Sequence, residues 1–252
     1  MPTETDIAAA GAGAVTPDPV TLEDVRFRIA AGRRILYREG CDSNVGGHVS
    51  ARADEGDGFW VTGFEYLDQT LPASIAKLDF DLRPLVGEHE LSPAVNFHAL
   101  IYQRRPDVNA IVHVHSHHVS VLSSIEDQTI GMYNVVAVLF HEEQATYLDD
   151  GVKAHTDVVD ALGPDKHVVL MKNHGAIVVS DSVENAVIEA VTLEMAARYH
   201  LECVAAGGTE ILEAEVRGGK AMYRTHFLPQ MWRANLDRLR RTDPDLFATL
   251  TD

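Results

Sequence analysis

Three histidines of this sequence have the residue type and spacing of a metal site. His113 and His115 follow the apolar run 110–112, and His174 lies between two β-branched runs. Successive side chains on a strand point to opposite faces, so residues two positions apart lie on the same side. His113 and His115 can therefore grip one ion together. The short Asn/Gly segment around His174 predicts a hairpin, which would bring the third ring towards the pair.

Three neutral imidazoles that leave one coordination position open are typical of a catalytic divalent metal. A lone His-x-His pair is more often two ordinary polar residues at a strand end, and it is the third histidine that favours a metal. We therefore predict one divalent ion per subunit, held by His113, His115 and His174. Imidazole accepts zinc, manganese, iron and cobalt, so all four metals stay open.

The apolar pattern predicts the elements that must position these rings. Helices are predicted from Thr21 to Gly40, from Pro93 to Pro106, and over residues 117–124, 151–162 and 182–206; strands are predicted within 49–61, 75–80, 110–115, 135–139, 167–171 and 176–179. This mixture favours an α/β fold with a central, largely antiparallel sheet and helices against it. Residues 1–19 predict a poorly ordered tail, and residues 20–252 a single domain.

Composition restricts the partners of the chain. Its 252 residues are 46% hydrophobic, which is enough for one substantial core. The formal net charge of −17 disfavours binding to nucleic acid or to an anionic membrane surface. A small anionic substrate would need a local positive site, which a bound metal ion supplies. No Gly-x-Gly-x-x-Gly or P-loop pattern is present, which disfavours a nucleotide cofactor.

Cysteine usage and the N-terminal residues bear on location. The two cysteines have no Cys-x-x-Cys spacing and fit a reducing compartment. The first residues lack the cationic start of a signal peptide, and no apolar run reaches the length of a membrane span. We therefore expect a cytoplasmic protein without a membrane partner.

Ordered motifs over roughly residues 22–235 resemble the class II aldolase/adducin family. They are Gly46-Gly47-His48-Val49-Ser50-Ala51-Arg52, Thr62-Gly63, Ser92-Pro93 before Phe97-His98, the stretch 102–115, and Asn173-His174-Gly175. The resemblance implies a three-layer α/β/α fold and a divalent metal on His113, His115 and His174. It also implies a cyclic homotetramer with active sites between subunits. The family includes sugar-phosphate aldolases, an epimerase, a dehydratase, the non-enzymatic adducin head, and decarboxylases of hydroxylated aromatic dicarboxylates.

The chain departs from the family's sugar-phosphate aldolases at three positions. Those aldolases carry a glutamate that ligates the metal and moves protons, and the matching position here is Ala94. They also bind phosphate through an Asn and two serines, where this chain has His48 and Pro93 at the matching places. A phosphorylated sugar is therefore disfavoured as substrate. Glu88 or Glu90 from the preceding loop remain candidates for a fourth ligand, although a solvated loop carboxylate is the simpler interpretation.

Loss of the glutamate favours one reaction class. A retro-aldol step must take a proton from a hydroxyl, whereas decarboxylation mainly needs an acid that delivers a proton to carbon. We therefore predict a metal-dependent decarboxylase of a hydroxylated aromatic dicarboxylate, such as a dihydroxyphthalate. The alternative is a metal-dependent aldolase that cleaves a non-phosphorylated hydroxy acid or a sugar-derived substrate. An adducin-like scaffold without chemistry and iron-dependent oxygen chemistry are further alternatives.

The remaining candidate residues are weaker inferences than the ligands. His118 and His117 are predicted proton donors, and Tyr133 lies near where aldolases place a tyrosine from the neighbouring subunit. Predicted substrate contacts are His48, Arg52, Thr62, Gly63 and Ser92, whose donors suit an anionic group. His89, His98, His155, His167, His200 and His226 have no ligand spacing and are interpreted as core-edge or surface residues.

Overall fold

A computed structural model describes residues 20–87, 90–126, 128–148, 156–211, 216 and 219–251. The predicted tail 1–19 and the start of the predicted helix 151–162 lie outside these residues. Glu88, His89 and His155 also lie outside them.

The described chain forms one eight-stranded sheet. Its strands are β1 (His48–Arg52), β2 (Phe59–Thr62), β3 (Ile75–Leu78), β4 (Pro84–Val86), β5 (Ala110–Val114), β6 (Gln144–Tyr147), β7 (Val168–Met171) and β8 (Gly175–Ser180). The strand order is β4-β3-β2-β1-β5-β8-β7-β6. Every neighbouring pair is antiparallel except β6 and β7, which are parallel. The predicted largely antiparallel sheet is thereby confirmed.

Helices cover both faces of this sheet. They are α1 (Val25–Arg38), α2 (Val95–Arg104), α3 (His117–Ser123), α4 (Thr156–Leu162), α5 (Val183–Ala205), α6 (Gly219–Met222), α7 (Leu228–Thr242) and α8 (Pro244–Phe247), with a π-helical turn at Tyr223–Phe227. None of the described helices has both the length and the apolar character that crossing a membrane requires.

Strand alternation divides the apolar residues into two cores. On β5, Val112 and Val114 belong to the core that includes α1 and α5. Ile111, which precedes them and has the opposite parity, belongs to the other core with residues of α2 and α4. Side chains of opposite parity point to opposite faces, so each face is buried under its own helices. This confirms the three-layer α/β/α arrangement, and it places His113 on the α2 face.

Residues 135–139 form a helix, and the predicted strand is wrong. A 3-10 helix runs over Val135–Phe140, and the side chain of Asn134 accepts a hydrogen bond from the backbone N–H of Val136 at its start. Six consecutive apolar residues show no alternation, and such a short run fits a buried helical turn as well as a strand. The capping asparagine is the local feature that favours the helix.

Two helix starts also differ from the prediction. Asp24, rather than Thr21, caps α1, because its Oδ1 accepts a hydrogen bond from the backbone N–H of Arg26 at 2.8 Å. Helix α2 begins at Val95, two residues after Pro93. The start of α5 agrees with the prediction, since Ser182 accepts a hydrogen bond from the backbone N–H of Asn185.

Candidate metal centre

His113 projects from β5 into the core on the α2 face. Its side chain is buried, and its Nδ1 lies 3.0 Å from the carbonyl oxygen of Ala176 on β8. A carbonyl only accepts, so Nδ1 carries the proton and the lone pair is on Nε2. This hydrogen bond fixes the tautomer and the direction that metal-binding histidines use.

The chain after β5 holds His115 in place. The backbone N–H of His115 donates to Ser43 Oγ at 2.8 Å. A Cβ atom on Gly46 would lie 3.1 Å from Cε1 of His115, so the chain before β1 passes close against this ring. Glycine at this position leaves room for the imidazole.

A tight turn between β7 and β8 presents His174. Asn173 has a φ of 56°, in the left-handed region that asparagine tolerates better than most residues. Gly175 follows, and a Cβ atom there would lie 2.2 Å from the carbonyl oxygen of Val114. Only glycine therefore lets β8 approach β5 closely enough at this point. The turn chemistry of the Asn-His-Gly motif thus determines where the third imidazole lies.

The three imidazoles converge through their Nε2 atoms. The separations are 2.8 Å between His113 and His115, 2.9 Å between His115 and His174, and 3.2 Å between His174 and His113. A tetrahedral ion with metal–nitrogen bonds of about 2.1 Å places its ligands about 3.4 Å apart. The three separations are shorter than that spacing by roughly 0.2 to 0.6 Å, so a small outward movement of the rings would accommodate the ion. Among the described residues, the group that could hold a metal contains only these three histidines.

Burial favours the neutral form of His113 and His115. It lowers the pKa of His113 well below the usual value, and neighbouring imidazoles lower it further. Burial, and then His174, lowers the pKa of His115 to about 4. Neutral imidazole is the form that binds a metal. The donor set, its tautomer and its charge therefore all fit a divalent cation.

A second layer of histidines lies behind the first. His48 faces His113 across the β1–β5 pair, and His98 from α2 packs edge-on against His48 with ring centroids 5.8 Å apart. His98 Nδ1 lies 2.7 Å from Ser50 Oγ, which lies 2.8 Å from the hydroxyl of Tyr102. His48 Nδ1 and Nε2 and His98 Nε2 are buried without a described partner.

His98 was interpreted from sequence as a core-edge residue, and the structure buries it beside the candidate centre. The sequence carries only a weak signal for this position of His98. His48 and Ser50 are two positions apart on a strand, and His98 and Tyr102 are four apart on a helix, so each pair shares a face. Burial, and then Arg33, lowers the pKa of His48 to about 3. The neutral ring can still donate a hydrogen bond to a carboxylate, but it brings no positive charge of its own to an anionic substrate.

Three predicted substrate contacts have structural hydrogen bonds. Thr62 is buried, and its hydroxyl accepts from the backbone N–H of Val49. The carbonyl of Gly63 accepts from the buried guanidinium of Arg33 at 3.2 Å. Ser92 Oγ accepts from the backbone N–H of Ala94 at 3.2 Å. The hydroxyls of Thr62 and Ser92 keep their own protons for donation.

The structure does not bring Arg52 to the three histidines. Arg52 ends β1 four residues after His48, about 13 Å along a strand. Its guanidinium donates to the carbonyl oxygens of Tyr102, Arg105 and Val108 and lies over the Tyr102 ring. These contacts tie α2 to the sheet, and the role of Arg52 in substrate binding stays a prediction.

The two predicted proton donors begin α3. The rings of His117 and His118 pack edge to face with centroids 4.9 Å apart. His118 Nδ1 lies 2.7 Å from Oε1 of Glu194, a buried carboxylate on α5. No sequence pattern points to Glu194, because 76 positions separate it from His118 and its place inside a long helix carries no motif.

Comparison with known proteins decides the family. A family model described as Class II Aldolase and Adducin N-terminal domain matches residues 27–201. The chain belongs to this family. Its members include aldolases and decarboxylases, and class II aldolases use a divalent metal, typically zinc. The resemblance inferred from the motifs is thereby confirmed.

Two sequence relatives and one solved structure are similar to this chain. A 5-deoxy-D-ribulose 1-phosphate aldolase from Bacillus thuringiensis serovar kurstaki is 25% identical over 76% of this chain and 91% of its own. A 3,4-dihydroxyphthalate decarboxylase from Arthrobacter keyseri is 27% identical over 77% of this chain and 84% of its own. A crystal structure of an aldolase II superfamily protein from Pseudomonas syringae superposes with a TM-score of 0.79 at 21% identity, covering 91% of this chain and 98% of its own.

Ala94 and Glu90 are the described residues that bear on the missing aldolase glutamate. Ala94, in place of the expected glutamate, immediately precedes α2. Glu90 is an exposed loop residue whose described contact is its carbonyl, which accepts from the backbone N–H of Phe64, and it is not in the group around the histidines. Glu88 lies outside the described residues.

The described contacts of Tyr133 are with residues other than the three histidines. Its ring packs edge-on against His200 of α5 with centroids 5.0 Å apart, and its backbone N–H donates to Gly131. None of its described contacts is with His113, His115 or His174.

Proposed function

We propose that this protein is a metal-dependent decarboxylase of a hydroxylated aromatic dicarboxylate, such as a dihydroxyphthalate. The observation that carries the proposal is a site of imidazoles alone: the described group contains three histidines and no carboxylate. Retro-aldol cleavage needs a base that removes a hydroxyl proton, whereas decarboxylation needs an acid that protonates carbon. A site with Ala94 in place of the aldolase glutamate suits the second reaction better. The Arthrobacter keyseri decarboxylase, 27% identical, supports the same choice.

His113, His115 and His174 would hold the ion through Nε2. When bound there, a divalent ion, zinc, manganese, iron or cobalt, supplies a Lewis acid for the negative charge that develops as carbon dioxide leaves. Burial keeps His113 and His115 neutral, which is the form that binds a metal. The hydrogen bond from His113 Nδ1 to Ala176 aims the remaining lone pair at the ion.

Proton delivery is the main task left to the side chains. The bond between the ring carbon and the carboxylate breaks, its electron pair stays on the ring carbon, and that carbon must take up a proton. We assign this proton to His118, whose Nδ1 faces Glu194 and whose Nε2 is the atom free to deliver it. His117 is the second candidate donor. Tyr133 from a neighbouring copy is a further candidate near the reacting atoms.

Recognition of the anionic substrate is assigned to donors beside the histidines. We propose hydrogen bonds from the neutral ring of His48, from the hydroxyls of Thr62 and Ser92, and from the backbone at Gly63. The unpartnered ring nitrogens of His48 support its inclusion, because buried polar atoms are normally hydrogen-bonded. We further propose that residues 20–252 act as one catalytic domain within a cytoplasmic homotetramer.

An aldolase is the second candidate function. The relative from Bacillus thuringiensis serovar kurstaki, 25% identical, is an aldolase, which favours a carbon–carbon lyase of the aldehyde-releasing type. His48 and Pro93 stand where the family's aldolases bind phosphate. The substrate of this alternative would therefore be a non-phosphorylated hydroxy acid or a sugar-derived compound.

One experiment separates the two candidates. The purified protein is loaded anaerobically with zinc, manganese, ferrous iron or cobalt and incubated with a panel of dihydroxyphthalates and with non-phosphorylated hydroxy acids. Release of carbon dioxide and a dihydroxybenzoate is expected, with no release from the His174→Ala variant. Release of an aldehyde without carbon dioxide would contradict the proposal and support the aldolase.

A further inference from the structure

We infer that Glu194 is the positioning residue of His118, an inference that rests on the proposed role of His118 as proton donor. Glu194 lies in the middle of α5, and it is only 7% exposed. Three donors surround its carboxylate. Oε1 accepts from His118 Nδ1 at 2.7 Å and from the backbone N–H of His118 at 3.0 Å, and Oε2 accepts from the backbone N–H of Val119 at 3.0 Å.

In the described chain, the hydrogen bonds of the Glu194 carboxylate all come from α3. A carboxylate removed from water is costly unless its oxygens accept hydrogen bonds or pair with a cation. Among the described residues, no lysine or arginine forms an ion pair with Glu194, and its hydrogen-bond partners there are the two backbone N–H groups and the His118 ring. The imidazole is therefore the one side chain that Glu194 controls in the described structure.

This contact determines which nitrogen of His118 is left for proton transfer. A carboxylate accepts, so Nδ1 keeps its proton and Nε2 is the nitrogen that exchanges protons with a substrate. His118 would give the Nε2 proton to the ring carbon and end the step as the neutral ring with Nδ1 still bonded to Glu194. The same contact holds the ring at the start of α3, which begins three residues after the end of β5.

The backbone bonds of Glu194 give a purely structural alternative, in which it only fastens α3 to α5. A double-mutant cycle distinguishes the two roles, because residues that act through one another are not additive. The variants are Glu194→Gln, His118→Asn and the double variant, each assayed for carbon dioxide release with a dihydroxyphthalate. Glu189→Gln is the matched control, since Glu189 is also buried on α5 but faces Arg224.

We expect Glu194→Gln to lower kcat at least about tenfold with KM and metal content unchanged, and His118→Asn to lower kcat about 100-fold. The double variant should be no slower than His118→Asn. Glu189→Gln should keep the kcat of the unmodified protein. A kcat within twofold of the unmodified protein for Glu194→Gln would overturn the inference. So would a double variant that is a further tenfold slower than His118→Asn.

A second measurement does not depend on turnover. In zinc-loaded protein labelled with 15N-histidine, nuclear magnetic resonance reports which ring nitrogen of His118 is protonated, with His118→Asn providing the assignment. A protonated Nδ1 is expected, and it should be lost or exchange faster in Glu194→Gln but not in Glu189→Gln. An unchanged ring signal in Glu194→Gln would overturn the inference. Failure of the unmodified protein to release carbon dioxide would instead contradict the proposed function, and this measurement would still decide the role of Glu194.

Discussion

His48 stacks on His113, with ring centroids 5.7 Å apart and planes inclined by 25°. The two residues are direct partners across β1 and β5, so the pairing of the strands fixes the contact. His113 uses Nδ1 for Ala176 and turns Nε2 towards the other two ligands, whereas both nitrogens of His48 are without a described partner. The inner ring is thus committed to the candidate metal centre, and the outer ring keeps hydrogen-bonding capacity beside it.

His48→Phe separates the packing of this ring from its hydrogen bonds. Phenylalanine keeps an aromatic ring against His113 but has no nitrogen. We expect metal content to stay unchanged and the KM for a dihydroxyphthalate to rise about tenfold, the usual effect of losing one hydrogen bond to a charged group. Steady-state kinetics with metal analysis is the measurement. Loss of the metal would instead show that His48 supports His113, and an unchanged KM would remove His48 from substrate recognition.

His174→Ala should empty the candidate metal centre without unfolding the chain. His174 lies in the turn between β7 and β8, and its replacement removes one of three converging nitrogens while both strands keep their pairing. Bound metal is expected to fall from about one ion per chain to near zero, with at least about a 100-fold loss of kcat/KM. His226→Ala, at an exposed position of the π-helical turn, is the matched control. Equal metal content in both variants would contradict the assignment of the ligands.

Sequence predicts the ligands and fails on the residues that support them, for a physical reason. His113 and His115 share a strand face, and His174 lies in a turn with its own local chemistry, so short-range rules identify each ring as a candidate ligand. The pairing of β5 with β8 then brings the three together. Glu194 reaches His118 only because α5 packs on α3, and His98 reaches His48 only because α2 packs on β1. Contacts between elements distant in sequence depend on packing, which no local pattern records.

The fold, like the site, is predicted where a local pattern determines it and missed where packing does. Alternation and turn residues predict the antiparallel strands around β5, and the apolar period predicts α1 and α5. The segment Val135–Phe140 was assigned to the wrong element because every residue in it is apolar, so its period carries no information. Arg52 looks like a substrate-binding residue in the motif around His48, and only the packing of α2 shows that carbonyl groups use its guanidinium.

Arg34→Met should destabilise the contact between α1 and the C-terminal helices. Arg34 is buried, and its guanidinium contacts Asp243, also buried, and Asp245. Removing one partner of a buried ion pair leaves an incompletely compensated charge, although Arg38 still contacts Asp243. We expect the free energy of unfolding to fall by about 3 kcal/mol in urea denaturation.

Arg83→Met is the control for this loss, since Arg83 is exposed and pairs with Asp79 and Asp81 at the surface. Its cost should be less than about 1 kcal/mol. Adding Asp243→Asn to Arg34→Met should recover part of the loss, because the unpaired charge is then removed. Equal losses for Arg34→Met and Arg83→Met would show that burial of the pair has no bearing on stability.

Glu189 should make stability depend on pH near neutrality. Burial raises its pKa from 4.5 to about 7, because it outweighs the attraction of Arg224, which lies 3.3 Å away and makes a shorter bond to Glu143. The folded chain therefore keeps this proton between pH 4.5 and 7, where the unfolded chain has released it. Stability from this group must fall as pH rises through that window, by up to about 3 kcal/mol.

Glu189→Gln keeps the shape and removes the titration, so the difference in unfolding free energy between variant and unmodified protein should grow in favour of the variant from pH 5 to pH 7.5. A difference independent of pH across this range would show that Glu189 is already ionised in the folded protein at pH 5.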